Sequence, residues 1–377
     1  MISEALLRRV ACPVCLESAG CADCGREGAG HAACEAEYAP RVRCACGGPD
    51  KRVLQAVDAS LVCPCCRASY PLHAGEGYLD LRPRTAVGRV TLYADHDFHE
   101  HFHAVDGPPV LSARVKADMM WRWLSPGAGQ TVLDLGSGPG KLALYAASDG
   151  ARATGIDVAP FFLGRAAREV DLVLGDLRRL PFRKSTFESA YSLDVLEHFD
   201  EAEVVDVLVE ARRSVGAAGR LFVYTHAMES SRLAVFQRGV NRLARRLGRA
   251  GLLDHEREAM RKSDHKNPIR DHEHFDSLCA ATGWRVAERR YYNVVLKAVV
   301  EDLLLRLVQH ARRRRPASSG SHGPGGEAAL PGRLALGIAL ALTWLLKLDV
   351  VLFGGIRTGP FFGLLRPIAS TPDPVAR

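Results

Sequence analysis

The sequence predicts an α/β protein. The expected architecture is a doubly wound sheet with helices on both faces, a small N-terminal zinc-ribbon-like domain and a helical, apolar C-terminal extension. Three observations predict it. Residues 131–157, TVLDLGSGPGKLALYAASDGARATGID, read as an apolar strand, a glycine-rich turn, a helix and a second strand ending in an acid. Ten of the eleven cysteines fall before residue 67. Leu334 to Leu346 is almost wholly apolar and follows a stretch, 316–332, rich in Ser, Gly and Pro that reads as a linker.

A chain of 377 residues with 47% apolar content is expected to form two units or one decorated unit around a packed core. The boundaries expected are a cysteine-rich domain over 1–85, an α/β domain over 86–300 with a basic helical insertion at 229–270, and a basic linker with an apolar tail over 301–377. The net charge of +7 is uneven: near zero through residue 85, about −5 over 86–230 and about +12 over 231–377. The acidic middle does not suit a nucleic-acid surface, whereas the basic last third calls for an anionic partner.

In the first segment, charges interrupt the apolar run of Met1 to Val10, so no secretory leader is expected. A reducing cytoplasm makes the thiols metal ligands rather than disulfides. Cys12 with Cys15, and Cys63 with Cys66, have the two-residue spacing of zinc knuckles, and four such thiolates close a tetrahedral Zn2+ site. Cys21, Cys24, Cys44 and Cys46 suit a second Zn2+, with Cys34 and His31 in reserve and the pairing left open. The histidines of DHDFHEHFHAVD, His96, His99, His101 and His103, read as a pocket rim, a metal site or a solvated connector. Cys279, isolated in an expected helix, reads as a small core residue.

In the middle segment, Val132 to Leu135 enter the turn Gly136, Ser137, Gly138, Pro139, Gly140, where missing side chains let a ligand lie against the backbone and the next helix offer its free N–H groups. Dinucleotide-binding units open the same way, so the turn alone leaves the ligand open. Asp157 ends the second strand, placed for a ribose hydroxyl pair, and Asp176 ends the third, placed for an adenine amino group. Pro181-Phe182 leads through Ser185-Thr186-Phe187-Glu188 into a fourth strand, Ala190 to Leu193, followed by Asp194-Val195-Leu196-Glu197-His198.

This succession resembles the class I S-adenosylmethionine-dependent methyltransferases, especially their small-molecule and lipid-directed branch, over roughly residues 110 to 291. Glu188 departs mildly from the Asp usual there. The resemblance implies S-adenosyl-L-methionine as cofactor, with Gly136, Ser137, Gly138 and Gly140 beside its methionine part and Asp134 ordering the methionine amino group. It implies Asp157 on the ribose, Asp176 and Leu177 beside the adenine, and Ser192 with Leu193 at the edge of the methyl-transfer cavity. His198 and His226 are the candidate bases, and His272 and His274 could reach over from the rim.

Helices are expected over 111–124, covering the cofactor, and over Glu203–Val215, with a fifth strand from Arg220 to Thr225. The insertion, Arg232 to Leu253, places Leu233, Phe236, Val240, Leu243 and Leu247 on one face and arginines elsewhere. Such a helix suits an anionic membrane surface, an anionic substrate or a solvated face. Asn267 to Phe275 and Gly283-Trp284 resemble the family's passage before its sixth strand; the seventh is not placed by the sequence. The apolar tail falls short of the roughly 20 residues a span needs, and Lys347 and Asp349 would cost about 2.5 to 3.5 kcal/mol each in hydrocarbon. An interfacial or re-entrant hairpin is expected, joined by Phe361, Phe362, Leu364 and Leu365, with a buried helical extension as the alternative.

The ribbon around Leu61-Val62-Cys63 and Tyr70 to Leu81 resembles the zinc-binding activator subunit of certain tRNA and translation-factor methyltransferases. It also resembles the zinc finger of a ribosomal-RNA guanine methyltransferase family. An interaction or RNA-positioning module is implied; a simple cap on the catalytic domain is the alternative. The expectation is a cytoplasmic enzyme, peripheral to the inner face of the membrane, methylating an O or N atom of a small-molecule, glycan or lipid-linked acceptor. A ribbon-guided RNA methyltransferase and a non-catalytic scaffold for a protein partner are the alternatives.

Overall fold

The structure is a computed structural model and describes residues 2–13, 54–57, 60–63, 67–73, 75–82, 107–250, 264–305 and 333–368. Helix α1 (Glu4–Arg9) leads to four short strands, β1 (Gln55–Val57), β2 (Ser60–Val62), β3 (Ser69–His73) and β4 (Tyr78–Asp80). After α2 (Leu111–Leu124), strands and helices alternate: β5 (Thr131–Leu135), α3 (Lys141–Ser148), β6 (Arg152–Asp157), α4 (Gly164–Glu169), β7 (Asp171–Leu174), β8 (Ser189–Leu193), α5 (Glu201–Val215) and β9 (Arg220–His226). The remainder is α6 (Ala234–Arg249), α7 (His272–Ala281), β10 (Trp284–Tyr291), α8 (Val295–Val299) running into a π-turn at Val300–Leu305, α9 (Arg333–Phe353) and β11 (Pro360–Pro367).

The strands form one sheet in the order β1-β2-β3-β4-β7-β6-β5-β8-β9-β11-β10. Strands β5 to β9 are parallel, and β11 runs antiparallel between β9 and β10. Both faces are covered, so successive residues along these strands are buried rather than alternating between core and solvent. On one face α5 and α7 bring Val204, Leu208, Phe275 and Leu278 onto Leu133, Leu221 and Val223. On the other, α2, α3 and α9 bring Met120, Leu124, Leu144 and Leu346 onto Val132, Leu172 and Phe222. Helix α5 starts at a capping box of Asp200 and Glu203, as its sequence requires. The chain leaves β5 toward β6 and returns at β8, so ligands are expected at the carboxyl ends of β5 and β8.

The boundary expected at residue 85 is crossed by the sheet. Strand β4 pairs in parallel with β7, Tyr78 opposite Leu172 and Leu79 opposite Val173, and so covers what would otherwise be an exposed edge. Val10 bridges to Phe182, and Ala11 N–H donates to Pro181 O at 2.9 Å.

The C-terminal segment also departs from expectation. Phe361, Phe362, Leu364 and Leu365 do not join an interfacial hairpin: they are buried in β11, the seventh strand of the catalytic sheet, which therefore continues beyond residue 300. Their apolar run is that of an inner strand covered on both faces. Helix α9 packs on α2 and α8 through Thr343, Leu346 and Asp349. The charges that interrupt its apolar run are docking groups. Asp349 accepts the N–H groups of Leu296 and Lys297 at 2.9 and 3.0 Å, and Lys347 pairs with Asp118 at 2.6 Å.

The expected insertion helix is present over α6, while residues 251–263 lie outside the described residues. Its expected apolar face is split. Ala244 is buried and Val240 and Leu247 half-buried against the domain, whereas Phe236 and Leu243 are exposed.

Candidate active site

The glycine turn after β5 is built from backbone that other residues would not tolerate. Gly136 has φ +75° and a Cβ there would lie 2.5 Å from Val195 Cγ2; Gly140 has φ +80° and its Cβ would meet Ala166 Cβ at 2.8 Å. Gly138, φ +49°, has open space on its Cβ side. Beneath the turn Asp134 is 3% exposed, and its Oδ2 has no hydrogen-bond partner. Burial pushes its carboxyl up to about 8, with the charge of Asp157 adding to the shift. Ser137 is buried beside it with an unpartnered Oγ.

Asp157 holds the turn closed, accepting Gly138 N–H on Oδ2 at 2.7 Å and Ala159 N–H on Oδ1 at 3.0 Å. Asp176 accepts Arg178 N–H at 2.9 Å and pairs with the Arg178 guanidinium at 2.6 Å. Arg178 in turn reaches Glu203 at 2.7 Å. The Asp176 carboxylate is thus committed to its own arginine rather than open to a base edge; Leu177 beside it is buried. Ser192, aligned with Leu135 and Val223, is buried with an unpartnered Oγ.

Beyond the tips of β8 and β9 lies a dense cluster of ionisable side chains. Asp194 sits in the left-handed region, φ +56°, which a short polar side chain tolerates best after glycine, and pairs with Lys116 of α2. Lys116 Nζ also lies 4.2 Å from the centroid of the Tyr224 ring. Glu197, only 1% exposed, has Oε1 3.4 Å from His226 Nδ1 and accepts Thr225 Oγ1–H on Oε2 at 3.3 Å. Its backbone carbonyl accepts Lys266 N–H at 2.7 Å, which fixes the loop carrying His265 over it. The rings of His198 and His265 meet edge to face at 4.7 Å, and Asp264 Oδ2 lies 3.6 Å from His198 Nδ1. Burial and the neighbouring His198 hold His265 below the ordinary imidazole value.

Residues 133–223 match the family model for a methyltransferase domain. This stretch is a methyltransferase domain. Among curated proteins, it is 32% identical over 121 residues to a ubiquinone/menaquinone biosynthesis C-methyltransferase of Cereibacter sphaeroides, a match covering 29% of this chain and 48% of that protein. It is 27% identical over 180 residues to an S-adenosyl-L-methionine-dependent Diels-Alderase of Talaromyces variabilis, covering 48% and 54%. The chain spans about half the length of the curated relatives it matches. Among solved structures, it is similar to phosphoethanolamine N-methyltransferase 2 of Haemonchus contortus in complex with S-adenosyl-L-methionine. That similarity has 16% identity and a TM-score of 0.41, covering 67% of this chain and 52% of the other.

The methyltransferase domain fits S-adenosyl-L-methionine on two observations. The unpartnered, buried Asp134 Oδ2 awaits a cation such as an amino-acid ammonium, and the open side of Gly138 admits a ligand against backbone. The fold places Asp134, Gly136, Ser137, Gly138, Gly140, Asp157 and Ser192 toward the carboxyl ends of β5, β6 and β8. His198 and His226 also meet there, joined through Glu197.

His272 and His274 do not reach the rim. His272 is buried with Nε2 2.8 Å from Thr358 O and its ring packed on Tyr291 and Phe361, while His274 accepts Arg270 N–H on Nδ1. Sequence reading passed over Lys116, Asp194, Glu197, Asp264 and His265. The first is one lysine on a helix and the last two sit in a loop without periodicity; only the acid spacing of Asp194 and Glu197 was a usable signal.

Of the thiols expected to hold zinc, Cys12 and Cys63 are buried, and Cys12 Sγ lies 3.2 Å from Tyr70 Oη. Cys63 O accepts Arg67 N–H at 3.0 Å, with Arg67 at φ +61°. Cys15, Cys21, Cys24, Cys44, Cys46 and Cys66 lie outside the described residues, as do His96, His99, His101 and His103. Cys279 is a core residue as expected, its thiol pushed up by burial.

Proposed function

We propose that this chain transfers a methyl group from S-adenosyl-L-methionine to an O or N atom of a small-molecule, glycan or lipid-linked acceptor. The observation that carries the reading is the buried Asp134 carboxyl, its Oδ2 without a hydrogen-bond partner, beneath a turn left open at Gly138 after β5. Asp134 would hold the ammonium of the cofactor, the Gly136–Gly140 turn its methionine part, and Asp157, by its remaining lone pairs, the ribose. The cofactor supplies an activated sulfonium methyl, whose C–S bond breaks as the acceptor bond forms, so positioning and exclusion of water are the protein's main tasks. His226, oriented by Glu197, takes the proton of an acceptor hydroxyl. Tyr224 and Lys116 line the same end of the sheet and orient the acceptor.

The reading places the acceptor at an anionic lipid surface. Helix α8 packs against both α6 and α9, and this layer exposes Val235, Phe236 and Leu243 on α6 and Ile338, Leu340, Trp344, Val351 and Leu352 on α9. Trp344 is 70% and Val351 75% exposed, and Arg238, Arg242, Arg245, Arg246 and Arg249 of α6 are exposed as well. Apolar anchors mixed with arginines suit the headgroup boundary. Residues 336–353 are long and apolar enough to cross a membrane, yet the other side of α9 is docked through Asp349 and Lys347, which favours lying in the interface. Zn2+ on Cys12, Cys15, Cys63 and Cys66 belongs to the same proposal, supported by the two-residue spacing of each pair and the burial of Cys12 and Cys63. With the enzyme in a reducing cytoplasm, the ribbon's service is to close the β7 edge.

The test is transfer of labelled methyl from S-adenosyl-L-methionine into host extract separated into solvent-extractable, RNA and protein fractions. Label in the solvent fraction supports the reading. Label lost on RNase treatment makes the ribbon an RNA reader instead, and failure of folded protein to bind the cofactor favours a scaffold.

A further inference from the structure

The acceptor end of the sheet holds more ligating chemistry than a proton transfer needs. One ring nitrogen from each of His198 and His265 and one carboxylate oxygen of Glu197 all lie within 4.8 Å of one another. A second such group, Asp194, Glu197 and His226, shares Glu197. Glu197 is 1% exposed, and its Oε1 and His226 Nδ1 are buried without a hydrogen-bond partner although 3.4 Å apart. A buried carboxylate among imidazoles, its Oε1 met only by a poorly aligned His226 Nδ1 at 3.4 Å, is costly unless a cation completes it.

We propose that Glu197, His198 and His265 bind a first-row transition-metal dication at the tip of β8. Two imidazoles and one carboxylate are a donor set that leaves an ion open to an exogenous ligand. Asp264, 3.6 Å from His198 Nδ1, is the outer carboxylate that orients a ligating imidazole. Asp194 is held by Lys116 and stays beside the ion rather than on it. Hard oxygen-only ions are disfavoured by the imidazoles, and thiophilic ions are served by the cysteines elsewhere.

The inference deepens the methyl-transfer reading and rests on it for its purpose: an ion here selects acceptors with a hydroxyl beside a second oxygen donor. It eases loss of the hydroxyl proton, which passes to His226. The existence of the site does not depend on that reading.

The experiment is titration of the full-length, chelator-treated protein with Co2+, followed by visible absorption, alongside calorimetry with S-adenosyl-L-methionine as a check of the fold. Cobalt is expected to give a ligand-field band of its own, besides any thiolate charge transfer from cobalt taken up by the stripped cysteines. His198→Gln and His265→Gln are expected to abolish that band while cofactor binding persists, and Asp264→Asn to weaken cobalt binding about 10- to 100-fold. An unchanged ligand-field band in both histidine variants overturns the proposal. So does cobalt found only with thiolate charge transfer. Cofactor binding and methyl transfer without the cobalt band remove the metal alone, whereas the band without cofactor binding keeps the site and removes the methyl-transfer reading.

Discussion

Asp134 makes the sharpest prediction, because its ionisation must change when a cationic ligand arrives. In the unliganded fold burial holds its carboxyl at about 8, against an ordinary value of 3.8. At pH 7 only about one molecule in ten therefore carries the carboxylate that an ammonium needs, which weakens apparent affinity about tenfold, or about 1.4 kcal/mol. Below pH 8 the dissociation constant for S-adenosyl-L-methionine should rise about tenfold per pH unit. Above it, loss of the ligand's own amino proton, with a value of about 8, turns affinity down again.

Calorimetry in buffers of different ionisation enthalpy should count nearly one proton released per ligand bound at pH 6 to 7. Asp134→Asn should remove the acid limb and that proton, and weaken binding at pH 8 by about 2 to 3 kcal/mol, roughly 30- to 150-fold. The stability of the unliganded protein follows the same group. A raised carboxyl binds its proton more tightly in the fold, so this contribution is intact below pH 4, falls as pH rises toward 8, and does so only with Asp134 in place. An acid limb that survives in Asp134→Asn would refute the assignment of the ammonium to this carboxylate.

Other outcomes follow from single contacts. Gly136→Ala, at φ +75° with Val195 2.5 Å from the new methyl, should cost about 1 to 3 kcal/mol in denaturant unfolding and abolish cofactor binding at micromolar concentrations. Asp349→Ala removes the acceptor of two N–H groups at the start of α8; a loss of about 1 to 2 kcal/mol is expected by chemical denaturation. Trp344→Ser and Val351→Ser should each weaken co-sedimentation with anionic vesicles about fivefold, about 1 kcal/mol of apolar contact, leaving the unfolding midpoint unmoved. Neutral vesicles should bind the parent protein more weakly than anionic ones, and added salt should erase that difference.

The catalytic sheet was legible wherever local pattern and global role agree. Strands β5, β7 and β9 are rich in apolar residues, the turn after β5 carries its glycines, and Asp157 ends β6 as expected, whereas Asp176 lies beyond the end of β7. The seventh strand was not legible, because Pro360–Pro367 resembles any apolar tail until β9 and β10 are known to leave a gap between them. Lys347 and Asp349 misled for a related reason: a charge in an apolar helix reads as an interruption, and only the tertiary partners Asp118 and the backbone of α8 show it to be a dock. His272 and His274 looked accessible because sequence carries no measure of depth. At the acceptor end, Asp264 and His265 come from a loop whose position depends on two hydrogen bonds to the backbone of Glu197, a constraint with no sequence period.

The placement of β11 has a consequence for how the chain acquires its shape. As the polypeptide is synthesised, β9 and β10 are both complete long before Pro360–Pro367 emerges, yet neither can pair with the other in the native arrangement. Until then β9 presents an open, apolar edge, and helices α6 to α9 have no fixed floor to settle on. Such late, long-range strand insertion is slow and invites mispairing with other nascent chains. Ribosome-released chains ending near residue 355 should accordingly collect in chaperone complexes or aggregates, while chains reaching residue 368 should not.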